Sequence, residues 1–241
     1  MEMTNDVEYA GKDLEAMSFA VNYHRWILDE FRPFLGKRIV EVGAGSGSFS
    51  EMLLAETPDV LAVVEPSKMF DPLENGLSAI DASTKVEYYN SIFSSVHMQI
   101  RESIAPDSII YVNVLEHIEK DSEEIMLAYE SLSSGGRLFI FVPALMSLYG
   151  KFDELIGHYR RYSKRGIEEK CTRAGFKIIR SKYFDFAGII PWWIKYKLLR
   201  SDSLQPGAVS IYDRLAVPII RLGERLIPVP IGKNVLLIAE K

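Results

Sequence analysis

The sequence predicts an α/β protein built on a doubly wound, mostly parallel sheet. Three observations carry that expectation. Short apolar runs and helical patterns alternate from residue 38 to 142, and most of those runs are apolar throughout. The first run ends in a glycine-rich turn that opens a helix. Continuously apolar strands belong to sheets covered on both faces, which crossover helices provide.

The elements follow in order. Phe19, Tyr23, Trp26, Ile27 and Phe31 recur at helical spacing and Gly36 stops the pattern, so a helix is expected from Phe19 to Phe34. Arg38 to Gly43 reads as a buried strand, and Ser48 to Thr57 as a helix with Phe49, Met52 and Leu53 on one face. Strands are expected at Val60–Val64, Lys85–Tyr89, Asp107–Val112 and Arg137–Val142. A helix over Glu123–Leu132 precedes the last of these and is closed by Ser133-Ser134-Gly135-Gly136. A helix at Lys164–Ala174 then leads to strands at Phe176–Phe184 and Asn234–Glu240. No internal repeat or low-complexity tract interrupts the chain. One domain is expected: a helical lead-in (1–35), a core (36–185), an insertion (186–230) and a closing strand (231–241).

The chain has 241 residues with net charge −5, 48% hydrophobic and 25% charged, which is ordinary globular composition. Cys171 is the single cysteine, so an internal disulfide and a multi-cysteine zinc site are excluded and no metal site is expected. A reducing, cytoplasmic setting is expected, with no secretory leader in the acidic, polar Met1–Tyr9. No run reaches the roughly 18 apolar residues of a membrane span. The charge is unevenly placed. Residues 1–157 hold 11 basic and 26 acidic groups, whereas residues 158–241 hold 17 basic and 7 acidic. An acidic core with a basic, aromatic appendage speaks to partners.

Gly43-Ala44-Gly45-Ser46-Gly47 joins a strand to a helix. Such a loop lets a ligand approach the backbone and offers it helix N–H groups. Alone, a glycine turn of this kind often only connects elements. Here Glu41 lies two residues before it, where an acid either receives a cofactor's amino group or orients the loop. Glu65 ends the second strand, where a carboxylate can take both ribose hydroxyls. A dinucleotide fingerprint wants glycine at position 48, where the chain has Ser48. A nucleoside without a pyrophosphate is the better reading.

With these residues the sequence resembles the class I S-adenosylmethionine-dependent methyltransferases (type 11/12-like). Val40-Glu41-Val42-Gly43-Ala44-Gly45-Ser46-Gly47 looks like their first motif, and Val63-Val64-Glu65-Pro66-Ser67 like the acidic end of their second strand. Asp107 to Ile118, containing Val114-Leu115-Glu116-His117, is similar to their fourth-strand motif, and Gly135-Gly136-Arg137 to the turn into the fifth strand. The resemblance covers about residues 35–185. It implies a Rossmann-like, seven-stranded sheet with a reversed last strand, with S-adenosylmethionine as cofactor and S-adenosylhomocysteine as product. It further implies that Gly43, Ala44, Gly45 and Gly47 pass the methionine part and that Glu65 binds the ribose. Pro66, Ser67 and Met69 would lie beside the adenine, with Asn90, Ser91 and Ile92 on its other side. Asn113, Val114 and Leu115 would form the floor. Many relatives have an acid where Asn90-Ser91-Ile92 stands.

Candidates for chemistry are fewer. His117 follows the fourth strand at the carboxyl edge of the sheet and is either a base or a residue that orders the loop. Glu116 reads as an anchor. His158-Tyr159-Arg160-Arg161-Tyr162 is either a solvated helix lead-in or a grip on an anionic acceptor. In the second case His158 or Tyr159 lies near the reacting atom, and Arg160, Arg161 and Tyr162 bind substrate. Tyr23 and Arg25 are lid candidates.

The expected activity is methyl transfer to a small-molecule, glycan or lipid-linked acceptor. The alternatives are a nicotinamide oxidoreductase and a non-catalytic cofactor-binding protein on the same fold. No nucleic-acid partner is expected, since the amino-methylating Asn/Asp-Pro-Pro-Tyr/Phe motif is missing. Ile211, Leu215, Ile219, Leu222 and Leu226 form one helical stripe with Arg214, Arg221, Glu224 and Arg225 off it, and Pro218 is expected to kink that helix. Ile189 to Ile194, with Trp192 and Trp193, is followed by Lys195, Lys197 and Arg200. Two readings stand for residues 186–230: an acceptor cap in peripheral contact with a membrane, or apolar faces packed on the domain or in a homodimer.

Overall fold

The computed structural model describes residues 20–80, 83–199, 201, 206–227 and 229–241. Phe19, Arg200 and the polar N-terminal stretch, on which parts of the sequence reading drew, lie outside the described residues. Seven strands form one sheet: β1 (Arg38–Val42), β2 (Val60–Val64), β3 (Lys85–Tyr89), β4 (Ser108–Val112), β5 (Arg137–Pro143), β6 (Lys177–Phe184) and β7 (Asn234–Glu240). Their order is β3-β2-β1-β4-β5-β7-β6, and β7 runs antiparallel to both neighbours. The order reverses between β1 and β4, whose carboxyl ends therefore diverge and leave a crevice.

Side chains alternate across this sheet and build two cores. Val40, Val42, Ile109, Tyr111, Leu138 and Ile140 face one side, where α4 (Phe93–Ser103), α5 (Asp121–Ser131) and α7 (Lys164–Arg173) cover them. Ile39, Ile110, Phe139, Phe141 and Leu236 face the other side. There α1 (Val21–Phe31), α2 (Ser48–Leu54) and α3 (Phe70–Ser78) pack, with Trp26, Ile27 and Phe31 of α1 buried at the centre. A one-turn α6 (Lys151–Leu155) follows β5.

Between β6 and β7 the chain makes α8 (Ile189–Trp192), continued by a wide turn over Trp193–Leu198, then α9 (Pro206–Ile211) and α10 (Val217–Leu226). A second wide turn, Tyr212–Ala216, separates α9 from α10, and Pro218 sits in the first turn of α10, where its missing N–H costs nothing. The proline therefore opens a helical segment, and the expected kink at it is not seen: the backbone stays right-handed helical at Ile211, Ala216 and Val217. The insertion is tied to the core by two buried aspartates. Asp213 accepts the Asn22 and Tyr23 N–H groups at 2.9 and 2.8 Å, capping α1 from outside that helix. Asp185 accepts from Tyr212 Oη at 2.7 Å, Gly188 N at 2.9 Å and Lys233 Nζ at 2.9 Å. Burial pushes the Asp185 carboxyl up, and Lys233 with these hydrogen bonds outweighs it, so the group ends below its ordinary value.

The apolar stripe does not pack on the domain. Ile211, Leu215, Ile219, Leu222 and Leu226 are 61–73% exposed, and Ile190, Leu198 and Leu199 are exposed beside them. The two tryptophans part company: Trp193 points outward, whereas Trp192 turns in and stacks near Tyr196 and Phe152.

Candidate active site

The crevice at the switch point holds two cavities that share one wall. The first, about 280 Å³, is lined by Glu65, Pro66, Ser67, Ser91, Ile92 and Val114, together with Gly43, Gly45, Asn113 and His117. The second, about 170 Å³, is lined by those same four residues and by Tyr23, His24, Glu41, Ala44, Glu116, His158, Arg161, Trp192 and Lys233, among others. The glycine loop is the sill between them.

The loop's shape needs its glycines. Gly43 has φ +70°, and a Cβ there would meet Val114 Cγ2 at 2.5 Å. Gly45 also has positive φ, and its N–H donates to Glu65 Oε2 at 2.8 Å. The Ser67 N–H donates to the other oxygen of Glu65 at 2.9 Å. Each oxygen keeps acceptor capacity toward the larger cavity, as a ribose diol requires. Asn113, at the end of β4, adopts φ +54°, a backbone that asparagine tolerates better than most residues. Its N–H is held by the Phe141 carbonyl at 2.8 Å, which fixes the backbone where the two cavities meet.

Glu41 is buried and accepts a hydrogen bond from Ser50 Oγ of α2. Burial, with Glu65 nearby, holds its carboxyl up to about 8 against the Ser50 bond. It therefore orients α2 and faces the smaller cavity as a proton-bearing acid.

Opposite stands a linked set. His158 Nδ1 lies 3.0 Å from Asp153 Oδ1, and the Arg161 Nε–H donates to the same oxygen at 2.7 Å. Burial opposes ionisation of Asp153, but His158 and Arg161 pull its carboxyl below the ordinary range. An acceptor-only carboxylate fixes Nδ1 of His158 as the protonated nitrogen, so Nε2 faces Glu116, 3.8 Å from its Oε1. The His117 and His158 rings meet edge to face at 4.6 Å. Burial, with His158 beside it, pushes His117 down to about 3 and keeps it neutral. Burial lifts Glu116 to about 7.

The sequence-predicted residues fall into three groups. Gly43, Ala44, Gly45, Glu41, Glu65, Pro66, Ser67, Ser91, Ile92, Asn113, Val114, His117, His158 and Arg161 line the two cavities. Gly47, Met69 and Leu115 act behind the walls: Gly47 turns the chain into α2 against Leu73, Met69 N–H binds Ser67 Oγ, and Leu115 is wholly buried. Asn90, Tyr159, Arg160 and Tyr162 are not in either wall. Asn90 is exposed, and Tyr159 is 53% exposed with its N–H on the Glu116 carbonyl. Arg160 pairs with Asp121 and the Glu119 carbonyl, and buried Tyr162 bonds Asp121 and the Leu115 carbonyl. The HYRRY segment thus aims His158 and Arg161 at the site and uses its other members to fasten the turn. Tyr23 does face the cavities, whereas Arg25 lies outside both. Sequence reasoning missed His24, Asp153, Trp192 as a wall residue, Lys233 and Asn234. No local motif marks them, since tertiary folding alone brings them to the loop.

A methyltransferase-domain family model matches residues 19–181. No curated protein matches the chain. Its fold is similar to that of an S-adenosylmethionine-dependent methyltransferase from Mesorhizobium loti, at 14% identity over 88% of this chain and 96% of that one, with TM-score 0.56. The cyclopropane synthase MmaA2 from Mycobacterium tuberculosis is similar at 14% identity over 86% and 79%, with TM-score 0.56. The chain complexed with the Haloferax volcanii Trm112 methyltransferase activator is similar at 12% identity over 100% and 98%, with TM-score 0.60. The family match spans most of the chain and coincides with a sheet in this order and a glycine loop at its switch point: the chain belongs to the methyltransferase domain family.

Proposed function

We propose that the chain methylates an amphiphilic acceptor, a lipid-linked or glycan-bearing molecule whose polar end enters the smaller cavity. The observation that carries the cofactor placement is Glu65, anchored by two loop N–H groups and facing the larger cavity. In this reading Glu65 takes the ribose hydroxyls, with Pro66, Ser67, Ser91 and Ile92 around the adenine. Gly43, Ala44 and Gly45 follow the methionine part, and Asn113 stands at the crossing of the two cavities. When bound, S-adenosylmethionine supplies a methyl group already activated on a sulfonium. The chain's own work is positioning and control of charge at the attacking atom. His117 and His158 stand beside that crossing, and Tyr159 has no part in it. Calorimetry tests the placement: Glu65→Ala should weaken S-adenosylhomocysteine binding while the protein stays folded, and unchanged affinity would contradict it.

The acceptor class rests on the insertion. A third cavity, about 230 Å³, lies under α8, α9 and α10 with walls that include Pro191, Val209, Tyr212 and Val217. It shares Tyr23, Trp192 and Lys233 with the smaller cavity. An acceptor with an apolar chain finds room there while its head meets Arg161 and Lys233. Trp192 Nε1 is buried without a hydrogen-bond partner, and a donor-only indole in a cavity wall fits an incoming oxygen. Outside, the exposed stripe and Trp193 run along the same insertion as Arg214, Arg225, Lys195 and Lys197, while Arg221 is paired with Asp29. Charge and apolarity together fit an anionic bilayer surface. No helix among the described residues is long and apolar enough to cross a membrane, so the contact proposed is interfacial. The same stripe in a homodimer would show as a concentration-dependent mass in solution.

A further inference from the structure

Glu116 poses a problem that neither the cofactor nor the acceptor reading answers. The residue is 0% exposed, and its carboxylate oxygens have no hydrogen-bond partner beyond its own backbone N–H. Buried polar atoms are rarely left so, because losing hydration without compensation is costly, most of all for a charge. Buried carboxylates are paired, protonated or bound to a cation. His158 Nε2 sits 3.8 Å from its Oε1, beyond hydrogen-bond distance.

The surroundings favour the third solution. One carboxylate oxygen of Glu116 and one nitrogen each of His117 and His158 lie within 4.8 Å of one another. The Asp153 carboxylate grips Nδ1 of His158 and aims Nε2 at Glu116, the arrangement by which carboxylates orient metal-binding imidazoles. Arg161 fixes Asp153 in turn. His117 also makes backbone hydrogen bonds with Gly157 and Ile156, which hold its ring. Two histidines and one carboxylate make an N₂O set that suits divalent first-row transition metals and leaves coordination positions open. Metal–ligand bonds of about 2.0–2.2 Å would need the three side chains to close by some tenths of an ångström.

We propose that Glu116, His117 and His158 form a binding site for a divalent transition-metal ion at the end of the acceptor cavity. All three residues line the cavity that Asn113 and Arg161 also line. An acceptor hydroxyl or carboxylate oxygen coordinated there would be held and made more acidic, so a hydroxyl gives up its proton to solvent without a protein base. The metal site stands on these three side chains alone, whereas the role given to it toward an acceptor rests on the methyltransferase reading.

The test uses the full-length protein, stripped with a chelator and titrated with Co²⁺ while its d–d absorption is followed, then with Zn²⁺ in competition. The expected result is one Co²⁺ per chain, displaced by Zn²⁺. Glu116→Gln and His158→Gln should each lower affinity at least tenfold, and Asp153→Asn by about 10- to 100-fold through loss of the orienting bond. His97→Gln, at a half-buried histidine outside both cavities, should change nothing. Circular dichroism and S-adenosylhomocysteine binding check folding in every variant; if Glu116→Gln fails to fold, His158→Gln and Asp153→Asn decide. Absence of a Co²⁺ spectrum, or binding unaltered in the folded variants, would overturn the site. S-adenosylhomocysteine binding by the metal-stripped protein tests the cofactor reading separately.

Discussion

At the scale of single residues, Glu65 and Gly43 carry the sharpest expectations. Glu65 holds Gly45 and Ser67 by their N–H groups, and in the proposed placement its remaining lone pairs take the ribose hydroxyls. Charge-assisted bonds to two hydroxyls are worth about 1.5–3 kcal/mol, so Glu65→Ala should weaken S-adenosylhomocysteine binding about ten- to a hundredfold by calorimetry. Gly43→Ala should be harsher. Its φ of +70° costs an L-residue about 1–2 kcal/mol, and the added Cβ would press on Val114 at 2.5 Å. Denaturant titration should show that loss together with a loss of cofactor affinity; a stable, fully binding variant would mean the loop is not the cradle described. Gly43, Glu65 and Asn113 were legible in the sequence because strand, loop and acid follow one another along the chain. Asp153 and Lys233 were not. Each belongs to the site only because α6 folds back on His158 and β7 begins beside Tyr23.

At the scale of elements, the strands were legible nearly to the residue, because a sheet buried on both faces leaves continuous apolar runs. Val60–Val64 and Asn234–Glu240 stand where the sequence put them, as does Lys85–Tyr89, an edge strand that is neither continuously apolar nor fully buried. Helices α3 and α4 were not read at all. In α3, Pro72 and Gly76 interrupt the pattern and only Leu73 and Leu77 are buried, while α4 buries only Phe93 and Ile100. The insertion shows the limit of a periodicity argument. Its stripe was legible, but periodicity cannot say which way a stripe faces, and it faces out. If that face meets an anionic bilayer, co-sedimentation with anionic vesicles should exceed that with neutral ones, and Leu215→Ser with Leu222→Ser should abolish it. Trp193→Ala should weaken it, whereas Trp192→Ala should act on acceptor turnover instead, since that ring is a cavity wall. Binding that survives loss of both leucines would leave the stripe to a protein contact.

At the scale of the whole molecule, buried acids make stability depend on pH. Burial holds Glu41 up to about 8 and Glu124 up to about 7, against an ordinary 4.5. The folded state thus keeps protons that the unfolded chain releases, a contribution complete below pH 4.5 and lost as pH rises through 7 to 8. His24, held down to about 4 by burial, acts oppositely, its contribution disappearing as pH falls below 6.5. Above 6.5 these carboxylates act without that opposition, so the ligand-free protein should lose stability from pH 6.5 to 8 in urea titrations. Glu41→Gln should flatten that decline, and a slope unchanged by the substitution would show that Glu41 ionises freely. The two halves of the crevice give the molecule its central claim, a nucleoside–methionine cofactor laid across the glycine loop. Thermal unfolding with S-adenosylhomocysteine and, separately, NAD tests it most directly. At 100 times its dissociation constant, S-adenosylhomocysteine should stabilise the fold by about 2.7 kcal/mol and NAD should do nothing; stabilisation by NAD with none from S-adenosylhomocysteine would contradict the account.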